Sequence, residues 1–316
     1  MNATGATPSA RTRPWSRAVL SLMLIVLSAI GSSIAAPALI VSSKLSSESA
    51  LIAQMIRLSA EAHHIPTVDR TVLGATPIMR RAILAGEIDL YIEYTGNAAY
   101  FYNQSQRAVW RDAQQGYAEG AALERRHGLI WLTMAPASNR WALALRNDVA
   151  QAYHVRTVSD LAELIRQGTP TIKLACSAEF VNSDTLKNLE KVYAFHLPAT
   201  QLVILAGGET SAFMRAATHQ TDGVNTALVY STDGAIEASQ LRLLEDDQNA
   251  EPIYAPVPII RAQALQRYPQ IAALSDAIMQ KLDTATLQQL NARVQLDGVA
   301  ITTVARQWLQ SQGLIP

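Results

Sequence analysis

Residues 86–103 read GEIDLYIEYTGNAAYFYN. From Ile88 to Ile92 the pattern is that of a short buried strand, apolar and β-branched. It runs into Glu93, Tyr94 and the small-residue turn Thr95–Gly96–Asn97, then into Tyr100, Phe101 and Tyr102. Only 6% of the chain is aromatic, so this is a local concentration at a strand end. Just upstream, TPIMRRAILAG (76–86) is punctuated as a helix, with Thr76 as N-cap, Pro77 at the first helical position and Gly86 past the end. Helix then strand is one beat of a rhythm that continues in both directions.

Outward from it, ALIVSS (38–43) predicts a first buried strand and SSESALIAQMIRLSAEAHH a helix capped by Ser46 or Ser47. Downstream, LIWLTMAP, WALALR (141–146), TIKLACS (171–177), LVILAG (202–207), NTALVYST (225–232) and PVPIIR (256–261) predict strands. Helices fall between them, one over TVSDLAELIRQG (157–168) with Thr157 as cap and Gly168 as stop, and residues 263–314 read as helical. Such alternation predicts an α/β chain of βαβ units, with parallel sheets covered by helices. In open sheets of that kind ligands bind beyond the carboxyl ends of strands. The residues just after each strand are therefore the ones to read for chemistry.

Composition bounds that chemistry. The 316 residues are 49% hydrophobic and 16% charged, with a formal net charge of zero, a globular profile without the electrostatic footprint of a nucleic-acid partner. Arg11, Arg13 and Arg17 precede an apolar run from Ala18 to Ile30, and Ser33 and Ala35 satisfy the small-x-small rule. The expectation is a signal peptide over 1–35, cut after Ala35, because the run is well short of the ~20 residues of a spanning helix. The mature chain then keeps 23 of its 26 basic and all 26 acidic residues, a net charge of −3. Cys176 is the only cysteine, which rules out an intramolecular disulfide, and its apolar setting reads as core. An exported chain without a disulfide or an anchor is expected in the periplasm.

The strand ends give Ser42, Ser43 and Lys44; Tyr94, Thr95, Gly96 and Asn97; Asn139, Arg140 and Trp141; Glu209 and Thr210; Tyr230, Thr232 and Asp233. Aromatic faces attract cations, and a quaternary ammonium, which has no N–H to donate, is held well by them. Lys44 beside a helix N-terminus suits an anion. A zwitterion with a trimethylammonium at one end and a carboxylate at the other matches both halves. The plainer alternative, that each tyrosine is a core or rim residue, stays open for any one of them. No convergent nucleophile–base set, cofactor motif or metal cluster stands out. His63–His64 read as a helix end, and Gly207–Gly208 lack the rest of a phosphate loop.

The stretches VSSKLSSESALIAQMI, GEIDLYIEYTGNA, WLTMAPASNRWALALR, YSTDGAIEASQLRLLEDD and APVPIIR resemble the osmoprotectant-type substrate-binding proteins of ABC importers. GGETSAFMRAA and TDGVNTALVYSTDGA look closest to the OsmF (YehZ) branch of that family. The resemblance runs in order from about residue 38 to the end. It implies a two-lobed type II periplasmic-binding-protein fold with two crossing segments, near WALALR and LRLLEDD. Lobe one would be 36–142 plus 246–316, and lobe two 143–245. It implies a glycine betaine, choline or carnitine ligand, a membrane permease as partner, no cofactor, no catalysis and a monomer. By the resemblance Lys44 is the carboxylate-side lysine and Tyr94, Trp141 and Tyr230 are cage aromatics; the strand-end reading adds Asn97, Asn139, Glu209 and Thr210 to the candidate site. Three departures accompany it. Asn97 stands where the family commonly has threonine. Asn182 and Ser183 stand where it has a carboxylate-clamping arginine, and Glu209 and Thr210 stand near a missing cage tyrosine. The competing classes are a periplasmic sensor and an enzyme on the same scaffold.

Overall fold

Strand β3 (Leu90–Tyr94), the quoted strand, is buried along its whole length. It lies at the middle of a five-stranded sheet ordered β2-β1-β3-β10-β4, built from β1 (Leu39–Lys44), β2 (Thr67–Gly74), β4 (Leu129–Trp131) and β10 (Pro256–Arg261). A second five-stranded sheet has the order β7-β6-β8-β5-β9. Its strands are β5 (Trp141–Arg146), β6 (Leu174–Cys176), β7 (Leu202–Ile204), β8 (Thr226–Tyr230) and β9 (Leu241–Leu243). The computed structural model describes residues 1–6, 36–168, 170–206 and 210–316, and Ala38–Pro316 form one compact unit. Most of the expected targeting segment, and Gly207, Gly208 and Glu209, lie outside the described residues.

The helices are α1 (Ser47–Ala62), α2 (Thr76–Ala85), α3 (Asn97–Phe101), α4 (Ala113–Arg125), α5 (Asn147–Ala152), α6 (Val158–Gln167) and α7 (Ala178–Asn182). They continue with α8 (Asp184–Tyr193), α9 (Thr210–Thr218), α10 (Ala262–Arg267), α11 (Ile271–Met279), α12 (Thr284–Gln295) and α13 (Ile301–Ser311). Caps set their ends. Ser46 accepts from the Ser49 N–H at the start of α1, and Thr157 and Asp160 form a reciprocal capping box on α6. Gly86 ends α2 and Gly168 ends α6 in the left-handed region, at φ 77° and 73°. Thr76 is the first helical residue of α2 and Ala75 the cap, one position from the expectation.

Neither sheet is purely parallel, which corrects the expectation of parallel sheets and leaves the α/β architecture as expected. β1 pairs parallel with β2 and β3, but β10 runs antiparallel to β3 and β4. Likewise β6 is parallel to β7 and β8, while β5 is antiparallel to β8 and β9. The reason is geometric. A crossover helix returns the chain to the start of the next strand, which makes neighbours parallel. β5 and β10 instead enter from the other sheet, through 132–140 and 244–255. They arrive at the carboxyl edge and can only run back. Pro256, the first residue of β10, therefore lies opposite Tyr94, the last of β3. Trp141, the first of β5, lies opposite Tyr230, the last of β8. WALALR is thus wholly a strand of the second sheet, and the crossing falls just before it.

Each sheet has its own core. Leu51, Ile52, Met55 and Ile56 of α1 are fully buried among Ile271 and Ile278 of α11 and Val304 and Leu309 of α13. Leu143, Leu145, Leu161, Leu174, Phe180 and Phe213 anchor the other core. Burying each such side chain contributes about 1.5–3 kcal/mol. Cys176 is fully buried there, and burial pushes its thiol up to about 11, as befits a core residue.

Candidate functional site

The carboxyl edges of the two sheets face a cleft of about 790 Å³. Of the residues expected there, Tyr94, Asn97, Asn139, Trp141, Thr210 and Tyr230 line it. Trp141 and Tyr230 are neighbours because β5 and β8 pair antiparallel. Trp141 is braced edge-on by Phe180, centroids 5.6 Å apart at 84°. That contact fixes the indole while leaving it on the wall. Tyr230 is 38% exposed on the cleft wall.

Tyr94 is set differently, at 7% exposure, with its hydroxyl donating to Glu48 Oε1 at 3.0 Å. Burial first, and Glu48 after it, pushes the Tyr94 phenol well above its ordinary range, so it stays a donor. Glu48 also accepts from Asn139 Nδ2 at 2.8 Å and from Asn291 Nδ2 of α12 at 2.8 Å. It sits in the first turn of α1, where free backbone N–H groups favour an anion. The floor of the cleft is therefore a carboxylate satisfied by three neutral donors.

Lys44 is placed behind the wall. Its ammonium is paired with Glu93, which is fully buried, and lies 5.1 Å from the centroid of the Tyr94 ring. One face of Tyr94 is thereby occupied by the protein's own cation. Glu93 also accepts from the Tyr94 N–H at 2.8 Å, Asn97 Nδ2 at 2.6 Å and the Tyr91 hydroxyl at 3.0 Å. Asn97 thus directs its amide at Glu93 while still reaching the cleft. Arg140 reaches the cleft too, but its Nη1 donates to Asp246 Oδ2 at 2.9 Å. Ser183, where the resemblance implies an arginine, is the N-cap of α8 and accepts from the Thr185 N–H at 3.2 Å.

Several wall residues escaped the sequence reading, among them Glu48, Glu179, Thr185 and Asn291 as well as Tyr254 and Glu251. Tyr254 lines the cleft from the returning segment, with burial pushing its phenol up to about 12. No strand precedes it, so the strand-end rule passes over it. Glu251, on the same segment, is a buried carboxyl on the wall, and nothing in its local sequence marks it.

A family model described as the substrate-binding domain of an ABC-type glycine betaine transport system, OpuAC, matches residues 37–311. The chain belongs to this family. It is 44% identical over 275 residues to the glycine betaine-binding protein YehZ of Escherichia coli K12, covering 86% of this chain and 90% of that one. It is 30% identical to a glycine-betaine-binding protein of Pseudomonas aeruginosa, over 78% of each. The solved structure of apo YehZ superposes with a TM-score of 0.80 at 43% identity, covering 88% of this chain and 100% of that one. This OpuAC-family chain therefore has the two-lobed binding-protein fold. The two glycines of its EYTG and STDG stretches have a physical reason. A Cβ on Gly96 would lie 2.7 Å from the Tyr254 ring, and one on Gly234 would lie 2.1 Å from the backbone nitrogen of Ala292 in α12.

Proposed function

We propose that this chain is the exported, periplasmic binding component of an importer, and that it holds a quaternary-ammonium osmolyte between its lobes for delivery to a membrane permease. The observation that carries the reading is the cleft wall. Trp141, Tyr230, Tyr94 and Tyr254 come together from both sheets and the returning segment, beside carboxylates. Aromatic faces and carboxylates suit a cation that offers no N–H. The names of the two relatives, each a glycine betaine-binding protein, supply the candidate ligand. Lobe one comprises the first sheet with α1–α4 and α10–α13, and lobe two the second sheet with α5–α9. Asn139 and Thr210 contribute polar contacts, and Lys44 acts from behind by fixing Glu93 and Tyr94. The family is one of substrate-binding transport proteins, and in this reading the ligand is carried unchanged, by a monomer. Among the described residues no helix is long and apolar enough to cross a membrane.

Calorimetric titration with glycine betaine, choline, carnitine and an uncharged isostere tests the reading. Saturable binding of any of the three charged ligands, with none of the isostere, is the expected result. Equal binding of the isostere would remove the cation from the argument.

A further inference from the structure

The wall of the cleft is acidic. Glu48, Glu179, Asp233 and Glu251 face it, against Arg140 as its one basic side chain among the described residues. Most of these charges are already engaged. Glu48 has its three donors. Asp233 accepts from the Tyr230 N–H at 2.9 Å. Arg140 is held by Asp246. Glu179 is exposed, whereas Glu251 is buried at 5% exposure and its Oε1 has no hydrogen-bond partner among the described residues. A buried carboxyl oxygen without a donor costs about 1–3 kcal/mol or more, and a cation held beside it in the cleft would offset that cost.

The groups facing Glu251 come from several elements. Thr185 of α8 lies beside its carboxyl and favours the charged form, Asp246 and Tyr254 flank it on the returning segment, Arg140 lies on the outgoing one, and Arg111 closes the turn Ala108–Arg111. Burial is the largest influence and, with Asp246, outweighs Thr185 and the two arginines, holding the carboxyl up to about 7.

We propose that Glu251 is the counter-charge for the cationic group of the ligand, and that the cleft selects an organic cation carrying no carboxylate. The inference rests on the quaternary-ammonium reading and narrows it. A cation beside Glu251 satisfies the orphan oxygen. A carboxylate on the same ligand would meet, as a basic side chain among the described wall residues, only Arg140, whose Nη1 already donates to Asp246. Arg140 is bound to Asp246, Lys44 is behind the wall on Glu93, and Glu48 and Asp233 would repel it. Binding of a permanently charged ligand is then linked to a proton. The ligand binds the ionised carboxyl, so Glu251 releases its proton on binding, and affinity rises as pH rises through about 7.

Choline and glycine betaine are the probes, since both carry a trimethylammonium and differ in ending in a hydroxyl or a carboxylate. Titration calorimetry at pH 6 and pH 8, in buffers of different ionisation enthalpy, reads affinity and protons released. Choline is expected to bind about tenfold or more tighter than betaine at pH 8, and about tenfold weaker at pH 6 than at pH 8, with proton release near pH 7. Glu251→Gln should bind choline weakly and without pH dependence, its melting curve confirming that it is folded. Should that variant fail to fold, proton release by the unmodified protein decides. Betaine binding as tightly as choline leaves the quaternary-ammonium reading standing and overturns this inference. So does choline affinity that is flat between the two pH values, or a pH dependence that survives in Glu251→Gln. Binding of neither ligand at either pH overturns the reading and the inference together.

Discussion

The ammonium of Lys44 lies against Glu93, a carboxylate with no exposure at all, and that pairing predicts what its removal does. Lys44→Met leaves a buried charge uncompensated and should cost about 3–5 kcal/mol in urea denaturation. Lys44→Met with Glu93→Gln should recover much of the loss. A single variant of unchanged stability that loses betaine binding would instead make Lys44 a ligand contact. On the wall, Tyr230→Ala and Trp141→Ala should each weaken choline binding by about 1–2 kcal/mol, whereas Tyr230→Phe keeps the π face and most of the affinity. Tyr94 differs, because its hydroxyl supports Glu48. Tyr94→Phe should cost stability, about 1–3 kcal/mol, before it costs affinity. Glu251 gives a pH signature without any ligand. Its folded carboxyl titrates near 7 against an ordinary 4.5, so the folded state binds the extra proton and loses stability as pH rises between those values. Glu251→Gln should therefore raise the melting temperature by several degrees at pH 8, a gain on the order of 3 kcal/mol at most, and by almost nothing at pH 4. A gain that is equal at both pH values would remove the titration of Glu251 as its cause.

Helix α8 shows how an element constrains the site. Ser183 donates to Phe180 O at 2.7 Å and caps the helix that carries Thr185 to the wall. Ser183→Ala should lower stability by about 1 kcal/mol in chemical denaturation. Ser183→Arg should cost about as much and leave the ratio of choline to betaine affinity unchanged, because the position is a cap and not wall. A rise in betaine affinity alone would show that an arginine there reaches the ligand. Elements with a strong local signature were legible in the sequence. β1, β3, β5, β8 and β10 carry apolar runs, and α1, α2 and α6 carry caps, proline or glycine at their ends. The edge strand β2, with Asp69, Arg70 and Thr71 in its middle, has no such run and was passed over, as were three-residue β9 and α4. Tyr94, Trp141 and Tyr230 could be read as wall residues because strand ends mark them. Lys44 could not be separated from the wall, since its partner Glu93 is a tertiary fact. Tyr254 and Glu251 lie in a connecting segment whose meaning depends on burial and on partners far along the chain.

At the scale of the molecule, α12 and the stretch just after β8 touch beside the crossing segments. Asn291 Nδ2 donates to Thr232 O at 2.9 Å, Gln288 Nε2 donates to Ser231 O at 2.8 Å, and Gly234 lies against the backbone of α12. Saturating choline should draw the lobes together by hinge bending, seen as a smaller radius of gyration in small-angle scattering. It should also stabilise the fold by about 2.7 kcal/mol at a hundredfold excess over Kd. An unchanged radius at saturation would describe a rigid receptor. Gly234→Ala should lower stability and move choline and betaine affinities by the same factor, because a methyl group there strikes main chain and touches no ligand. The join at Gly234 has a longer reach than its size implies. It is made of main chain on main chain, so it asks of the sequence only that one position stay without a side chain. The surfaces that choose the cargo can then drift almost freely. A chassis of this kind could trade one solute for another by repainting the walls without disturbing the join.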